Sequence, residues 1–534
     1  MIKIISKSLI SLVIILSLIV FYLSFFGINT KKFNKKIKEE VLIINKKINL
    51  ELNNINLLLN PFNLSINATT QNPRILLNGN YLNFKSIKTN ISLKSFINKE
   101  FSIDDLNIST KVIKLNDLVS LARSFRNSPE LFVLDNVIKE GFITGDMNLN
   151  FDSEGKLKDD YQIDGFIKKG KLSLLNKNYI KNLDLIFQIK KNKYSLKKVK
   201  TNFNELELSS PLIEIKEKNS LFFINGEVLT KEKIFDMKEF NFIFKENFKN
   251  LNIERMNFSS VNNFSFNINK RFKLDNLDIE SRISLKNLVL KNNSLNIKQY
   301  LPNFEEQIKL NNHKIVIKYN KKKLDINGKG GLSIEDKKDF VKYNIIKENE
   351  QYSFKTNINL DQNPLTLYFL NYKKKEDVNS VISINGVYKK KSLIKFDLIS
   401  FKENNNEILI KNLNLNSRLK VLDIKLINLD YINNNKIKNK ISLKKDKKNY
   451  IIKGKSFDAT MLVDEILNGD REESSSLFSD INSDLSINIE KNYLDENTFV
   501  NNLNGKIKFQ NNKIHNLNLD SIFSNQKKLT FTIN

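Results

Sequence analysis

Cysteine is absent from the 534-residue chain. That excludes a disulfide framework, a thiolate metal site and a cysteine nucleophile. It does not assign a compartment, because a periplasmic protein can do without disulfides. Histidine occurs twice, at His313 and His515, far apart on strand-like segments. A zinc site or an activated nucleophile needs convergent ligands, or a base with its orienting partner, and neither histidine has such neighbours in sequence. Glycine (15) and proline (6) are scarce, which argues against collagen-like, proline-rich and low-complexity architectures. No P-loop, G-x-G-x-x-G or G-x-S-x-G motif is present. The acidic pairs Asp104-Asp105 and Glu305-Glu306 are adjacent, so in a strand their side chains point to opposite faces. The expectation is a protein that is not an enzyme, with no cofactor and no metal.

Charge is unbalanced in one direction, with 87 Lys and Arg against 59 Asp and Glu, a formal net charge of +28. Nucleic-acid binding requires a clustered electrostatic footprint. Here the lysines are scattered among asparagine and isoleucine, as AT-rich codons would produce whatever the function. The reading is a solvated basic surface, with no nucleic acid as partner. Hydrophobic residues make up 40%, too many for a disordered chain and too few for a polytopic membrane protein.

One membrane-length apolar run is present, Leu9 to Ile28, uncharged and about 20 residues long. Phe25-Phe26-Gly27-Ile28-Asn29-Thr30 offers no small-residue cleavage site, so the run reads as an uncleaved anchor. Lysines flank both sides (Lys3 and Lys7; Lys31, Lys32, Lys35, Lys36 and Lys38), so charge alone does not orient it. Phe33, Ile37, Val41, Ile44 and Ile48 then recur at helical spacing. Asn116 or Asp117 is placed to cap a helix carrying Leu118, Val119, Ala122 and Phe125, closed before Pro129.

Most of the remaining chain alternates with period two. Leu183, Leu185, Phe187 and Ile189 fall on every second residue, as do Phe264, Phe266 and Ile268. The same holds for Ile283 and Leu285, for Leu485, Ile487 and Ile489, and more briefly for Leu172 and Leu174. Such spacing gives each strand one apolar and one wet face. An apolar residue followed by Asn or Asp and then Gly recurs at Gly79, Gly165, Gly226, Gly328, Gly386 and Gly505. Asn-Gly supplies the positive φ angles of a tight hairpin or a bulge, and the repeat reads foremost as a set of turns at unequal intervals. Helices are expected at Leu295 to Leu310, split by Pro302, as a short turn at Pro364 to Tyr372, and from Asp458 to Leu467. The final alternation breaks off just as a strand begins to repeat, as an incomplete C-terminal region would.

The expected fold is mainly β: a transmembrane helix, then an elongated, curled antiparallel sheet forming a groove, with a few short helices. Roughly 30 strands at the usual spacing would extend on the order of 140 Å. A sheet of that kind must hide its apolar face by closing, by packing on a second sheet, or by holding something apolar. The candidate lining is the alternating set just named. The alternative is a scaffold or assembly factor with a closed, dry β-core.

The stretches LNPFNLSI (Leu59 to Ile66), ISLKSFI (Ile91 to Ile97) and IDDLNIS (Ile103 to Ser109), following the anchor, resemble the start of AsmA-like envelope proteins. Ile163 to Ile189 is similar to their recurrent G-x-h-x-x-G-x-h-x-h unit, where h is apolar. Gly454 to Ala459 and Leu503 to Phe509 resemble elements of the YhdP-like and TamB-like branch. The resemblance implies a protein of the Gram-negative inner membrane, N-terminus in the cytoplasm and bulk in the periplasm, of the bridge-like lipid-transfer type. Its implied partners are the inner membrane, phospholipids, and outer-membrane or periplasmic envelope proteins. The implied organisation is a cytoplasmic 1–8, an anchor at 9–28, an AsmA-like β region at 29–135, a repetitive β-groove at 136–455, and at 456–534 a helix with the start of a C-terminal AsmA-like β region.

Overall fold

The computed structural model describes residues 2–533 apart from 78, 99, 101, 126–127, 174–177, 204–205, 220, 237–251, 270, 272, 292–297, 299, 303, 305–306, 335, 391–392, 418, 462–482, 496 and 511–512. The opening apolar run is one helix, Ile2–Phe25, and its Ser6–Phe25 part is long and apolar enough to cross a membrane. It ends before Ile28. Gly27 takes a φ of +66°, and Ile28 opens a strand, Ile28–Thr30, paired with Ile55–Asn60. A β-carbon at position 27 would lie 2.4 Å from the Leu57 carbonyl oxygen, so the turn requires glycine for both its angle and its clearance.

The juxtamembrane helix spans Asn34–Ile44 and stops short of Ile48. Asn45 leaves the helix in an extended conformation, its side-chain amide donating to the Ser124 carbonyl at 2.8 Å, and Ile48 begins the strand Ile48–Glu51. The next helix, Leu115–Phe125, starts one residue before Asn116. Pro129 opens a further helix, Pro129–Val137, in which the Ser128 hydroxyl accepts the Leu131 N–H. That helix was not expected.

Thirty strands belong to one sheet. Neighbouring strands are antiparallel wherever their register is described, except that Asn449–Asp458 and Ser483–Tyr493 run parallel. The sheet is not closed: among the described residues, Ile28–Thr30 pairs only with Ile55–Asn60, and Lys528–Ile533 only with Lys513–Phe523. The chain is therefore mainly β, with an N-terminal apolar helix, one long antiparallel sheet and few helices. Two compact units divide it, residues 1–231 with 262–277, and residues 232–261 with 278–534.

Within the first unit, Ile48, Leu77, Leu82, Phe84 and Ile113 form a buried cluster roofed by Val41, Leu118 and Leu121 from the two helices. A second cluster, around Leu185, Phe187 and Val199, draws all its members from strands. In the second unit a larger core gathers on one sheet face, around Phe401, Ile408, Leu429 and Tyr431.

Two sequence expectations fail here. Leu310 lies in a strand, Gln307–Asn320, flanked by Leu274–Lys291 and Lys323–Ile334, so pairing on both sides overrides any local helical spacing. The recurrent glycines are also not turns, Gly79 (φ +82°) excepted. Gly165, Gly226, Gly328, Gly386 and Gly505 all sit inside strands. At Gly165, Gly226, Gly328 and Gly386 the missing side chain makes room for an aromatic ring from a nearby strand, whereas a β-carbon at Gly505 would meet the Asn518 carbonyl oxygen and Leu519. A β-carbon would lie 2.6 Å from the Phe187 ring at Gly165, 2.2 Å from Tyr343 at Gly328 and 2.8 Å from Phe354 at Gly386. The short helical turn expected before Tyr372 is a 3-10 turn, Tyr368–Leu370. At the expected Asp458 helix, the Asp458 carboxylate accepts the Thr460 N–H at 3.0 Å, while residues 462–467 lie outside the described residues.

Candidate functional site

Strand register carries side chains across neighbouring strands in rows, because directly opposed residues share a face. In the first unit, Ile163 opposes Ile189, Ile189 opposes Tyr194, and Tyr194 opposes Ile215. Beside that row, Gly165 opposes Phe187, Phe187 opposes Leu196, and Leu196 opposes Ile213. Leu183, Leu185, Phe187 and Ile189 therefore lie on one face, with Leu185 and Phe187 buried and Leu183 and Ile189 packed against them. Leu172 opposes Ile180 at the end of the same strand pair. Leu174 lies outside the described residues. The Phe264 and Phe266 rings stack at 5.8 Å, and Phe264 covers Gly226 beside Ile213, so it shares the face of this cluster. Ile268 follows two residues on, half-buried.

In the second unit, one row begins with Ile283 opposite Ile315. It continues through Gly328, Tyr343 and Thr356 to Ile384. From there Ile384, Ile399, Ile410, Ile427, Leu443 and Ile452 oppose one another in succession, and Ile452 opposes Ile487. A parallel row starts with Leu285 opposite His313, passes through Val341, Ile382 and Phe401, and ends at Ile489 opposite Leu503. Leu485 pairs with Tyr450 and Ile507. The members of the first row from Ile384 to Ile487 are all half-buried, whereas Phe401, Ile408, Leu429 and Ile489 in the second are buried.

That contrast has a local cause. The segment after Leu360 folds back over the second row as a small cover, in which Leu365–Leu367 pairs with Tyr372–Lys374 around the 3-10 turn. Leu365, Leu370 and Tyr372 enter the core, and the Tyr372 ring meets Phe401 and Tyr431 edge-on, each at 5.6 Å. Tyr431 Oη donates to the Leu370 carbonyl at 2.9 Å. A buried polar clamp fixes the base of the cover. Lys374, 0% exposed, donates to the carbonyls of Asp361, Asn363 and Lys375 at 2.9, 2.7 and 3.0 Å. Asp339 accepts the N–H groups of Asp361 and Gln362 and the Asn363 amide. Burial draws the Lys374 ammonium below its ordinary 10.5, opposed by the surrounding carboxylates of Asp339, Asp361, Asp377 and Glu376.

His313 is set into the second of these rows, beside Tyr343 of the first. Its Nε2 donates to the Gly331 carbonyl at 2.9 Å, and its ring fills the space that a side chain at Gly330 would occupy. Burial lowers its pKa from the usual 6.5, opposed by the Gly331 hydrogen bond. Among the described residues, no group of three or more His, Cys, Asp or Glu side chains is arranged to hold a metal ion.

The opposite faces are charged. Lys193 pairs with Glu214 at 3.3 Å, Lys168 with Asp184 at 3.1 Å, and Lys440 with Asp430 at 3.1 Å, all across strands. A hollow of about 720 Å³ in the first unit is lined by Asn29, Lys31, Asn54, Asn56, Gln71 and Lys88 with their neighbours, on the face away from Ile55. The isoleucine row, the glycine–aromatic pairs and the cover were not identified from sequence. The rows need register, which alternation alone does not give. The pairing of Gly165, Gly226, Gly328 and Gly386 with an aromatic on another strand is the signal that could have found the second. No protein-family model matches the chain, and no curated protein matches it.

Proposed function

We propose that the protein is a membrane-anchored lipid carrier of the cell envelope, in which phospholipid acyl chains lie along the apolar strand faces and headgroups stay in water. One observation carries this reading. Ile384, Ile399, Ile410, Ile427, Leu443 and Ile452 present branched aliphatic side chains to one face over successive strands, and each remains half-buried. A contiguous apolar surface of this kind marks a place where an apolar partner sits. An acyl chain fits the chemistry, because it is long, unbranched and recognised without directional bonds. The N-terminal helix, apolar enough to span a bilayer, supports a source of such chains. The likeness of the N-terminal stretches to AsmA-like proteins supports the same reading. It adds to the proposal an inner-membrane location with the bulk of the chain periplasmic, and envelope proteins as partners.

A closed scaffold is favoured by one feature, the cover over Phe401 and Tyr431, where the core is dry. The test is mass spectrometry of lipids that co-purify with the full chain in mild detergent. Several phospholipids per chain, depleted by Ile399→Asp and Ile410→Asp but retained by Lys411→Asp on the exposed outer face, is the expected result. A lipid-free, monodisperse wild-type protein would replace the carrier with the scaffold. Leu185→Asp is a poor probe here. Leu185 is 7% exposed, so a carboxylate there would unfold the face whether or not lipid binds it.

A further inference from the structure

We infer that the turn at 61–64, together with Ile97 of the neighbouring short helix, is a second contact with the bilayer, dipping into the lipid interface beside the N-terminal helix. Phe62 is 96% exposed, Ile97 77% and Leu64 59%. Single exposed apolar residues are ordinary on a protein surface. These three are gathered. Ser65 opposes Ser92, and the Leu93 N–H donates to the Leu64 carbonyl at 2.9 Å, which ties the turn to the helix Leu93–Ile97. The turn is also held in shape. The Asn60 side-chain oxygen accepts the N–H groups of Phe62 and Asn63, both at 3.2 Å, and Leu64 takes a φ of +48°.

Register sets the height of this patch. Ile28 opposes Leu57 and Thr30 opposes Ile55, so the chain traced backwards from Ile28 heads for the end of Ile55–Asn60 that carries the turn. Gly27 packs against Leu57 and Leu58, and Val20, Leu23 and Ser24 are half-buried while residues 6–19 are exposed. From Leu58 to Phe62 is on the order of 10 Å of extended chain. From Gly27 back to Tyr22 is about 7 Å of helix. By that reckoning Phe62 comes near the level of the helix's aromatic end, where the Phe21 and Phe25 rings lie tilted with centroids 4.5 Å apart and Tyr22 stacks on Phe26 at 5.6 Å. Aromatic side chains at the end of a span mark the membrane–water boundary. The exposed Lys31, Lys32 and Lys94 lie on the water side of that boundary, where anionic headgroups would meet them.

The inference rests on the helix spanning a bilayer and is independent of lipid carriage. Because the chain has no cysteine, single cysteines can be labelled uniquely. Full-length variants Phe62→Cys, Ile97→Cys, Leu12→Cys and Lys111→Cys, each carrying an environment-sensitive fluorophore, would be placed in phosphatidylcholine–phosphatidylglycerol vesicles. The vesicles would be doped with phosphatidylcholine spin-labelled at a shallow acyl position. Lys111 is exposed at the opposite end of Ile103–Thr110, and Leu12 reports the span itself. The expected result is quenching at 62 and 97 about threefold or more stronger than at 111. Quenching at 62 no greater than at 111 overturns the inference. If position 12 is quenched in that case, the anchor stands without the second contact; if it is not, the anchor reading falls as well.

Discussion

The strands around Leu185 and those around Phe401 share one pattern, branched or aromatic residues on one face and charge on the other, yet differ in what lies over them. The first cluster is made by strands alone. The second is roofed by Leu365, Leu370 and Tyr372 from the folded-back segment. Alternation therefore decides which side is apolar; packing between strands alone buries Leu185 and Phe187, whereas a separate piece of chain helps bury Phe401 and Tyr431. The half-buried rows are where an apolar partner has something to bind, and the cover shows how the same surface looks when the protein fills it itself.

The largest expected effect comes from removing the clamp beneath the cover. Lys374→Met would leave the carbonyls of Asp361, Asn363 and Lys375 unpaired and Asp339 without its nearby cation. A loss of about 3–5 kcal/mol from the second unit, read by denaturant titration, is expected. If stability is unchanged, the cover is not held by this network. Next, truncation should separate the buried from the half-buried positions. Leu185→Ala should lower stability by about 2–4 kcal/mol, and Ile410→Ala by clearly less. Equal losses would mean that the Ile410 row is as covered as the cluster.

How much of this was legible in advance follows the same division. Alternation at Leu183 to Ile189 and Phe264 to Ile268 sufficed for a mainly β chain, and a membrane-length apolar run was plain at Leu9 to Ile28, although the helix that carries it is Ile2–Phe25. The in-strand glycines were read as turns because Asn-Gly and Asp-Gly are strong local turn signals. What overrides that signal is a ring on the adjacent strand, directly opposed to the glycine, such as Tyr343 over Gly328, which no local window contains. The cover failed to register for a similar reason. Its two short strands are too brief for a periodicity, and they are held by tertiary contacts to Tyr431 and Asp339.

Smaller effects sharpen the comparison further. Gly328→Ala would set a β-carbon 2.2 Å from the Tyr343 ring, and a loss of about 1–3 kcal/mol is expected. An unchanged melting midpoint would mean that the ring moves aside freely. The smallest effect is on pH. With the His313 pKa lowered below 6.5 by burial, the unfolded chain binds more protons than the folded one just below that pH. The contribution is therefore intact above 6.5 and is lost as pH falls through the interval down to the lowered folded-state value. His313→Gln should flatten that slope in a series of unfolding titrations. A slope unaltered by the substitution would assign it to other groups.

The most direct measurement is site-specific photocrosslinking in cells, with a photoreactive residue at Ile410 on the half-buried row or at Lys411 on the opposite face of the same strand. Phospholipid adducts at Ile410 and none at Lys411, identified by mass spectrometry of the purified full-length chain, are what lipid carriage on this face predicts. Equal labelling at both positions, or no lipid at either, would contradict it.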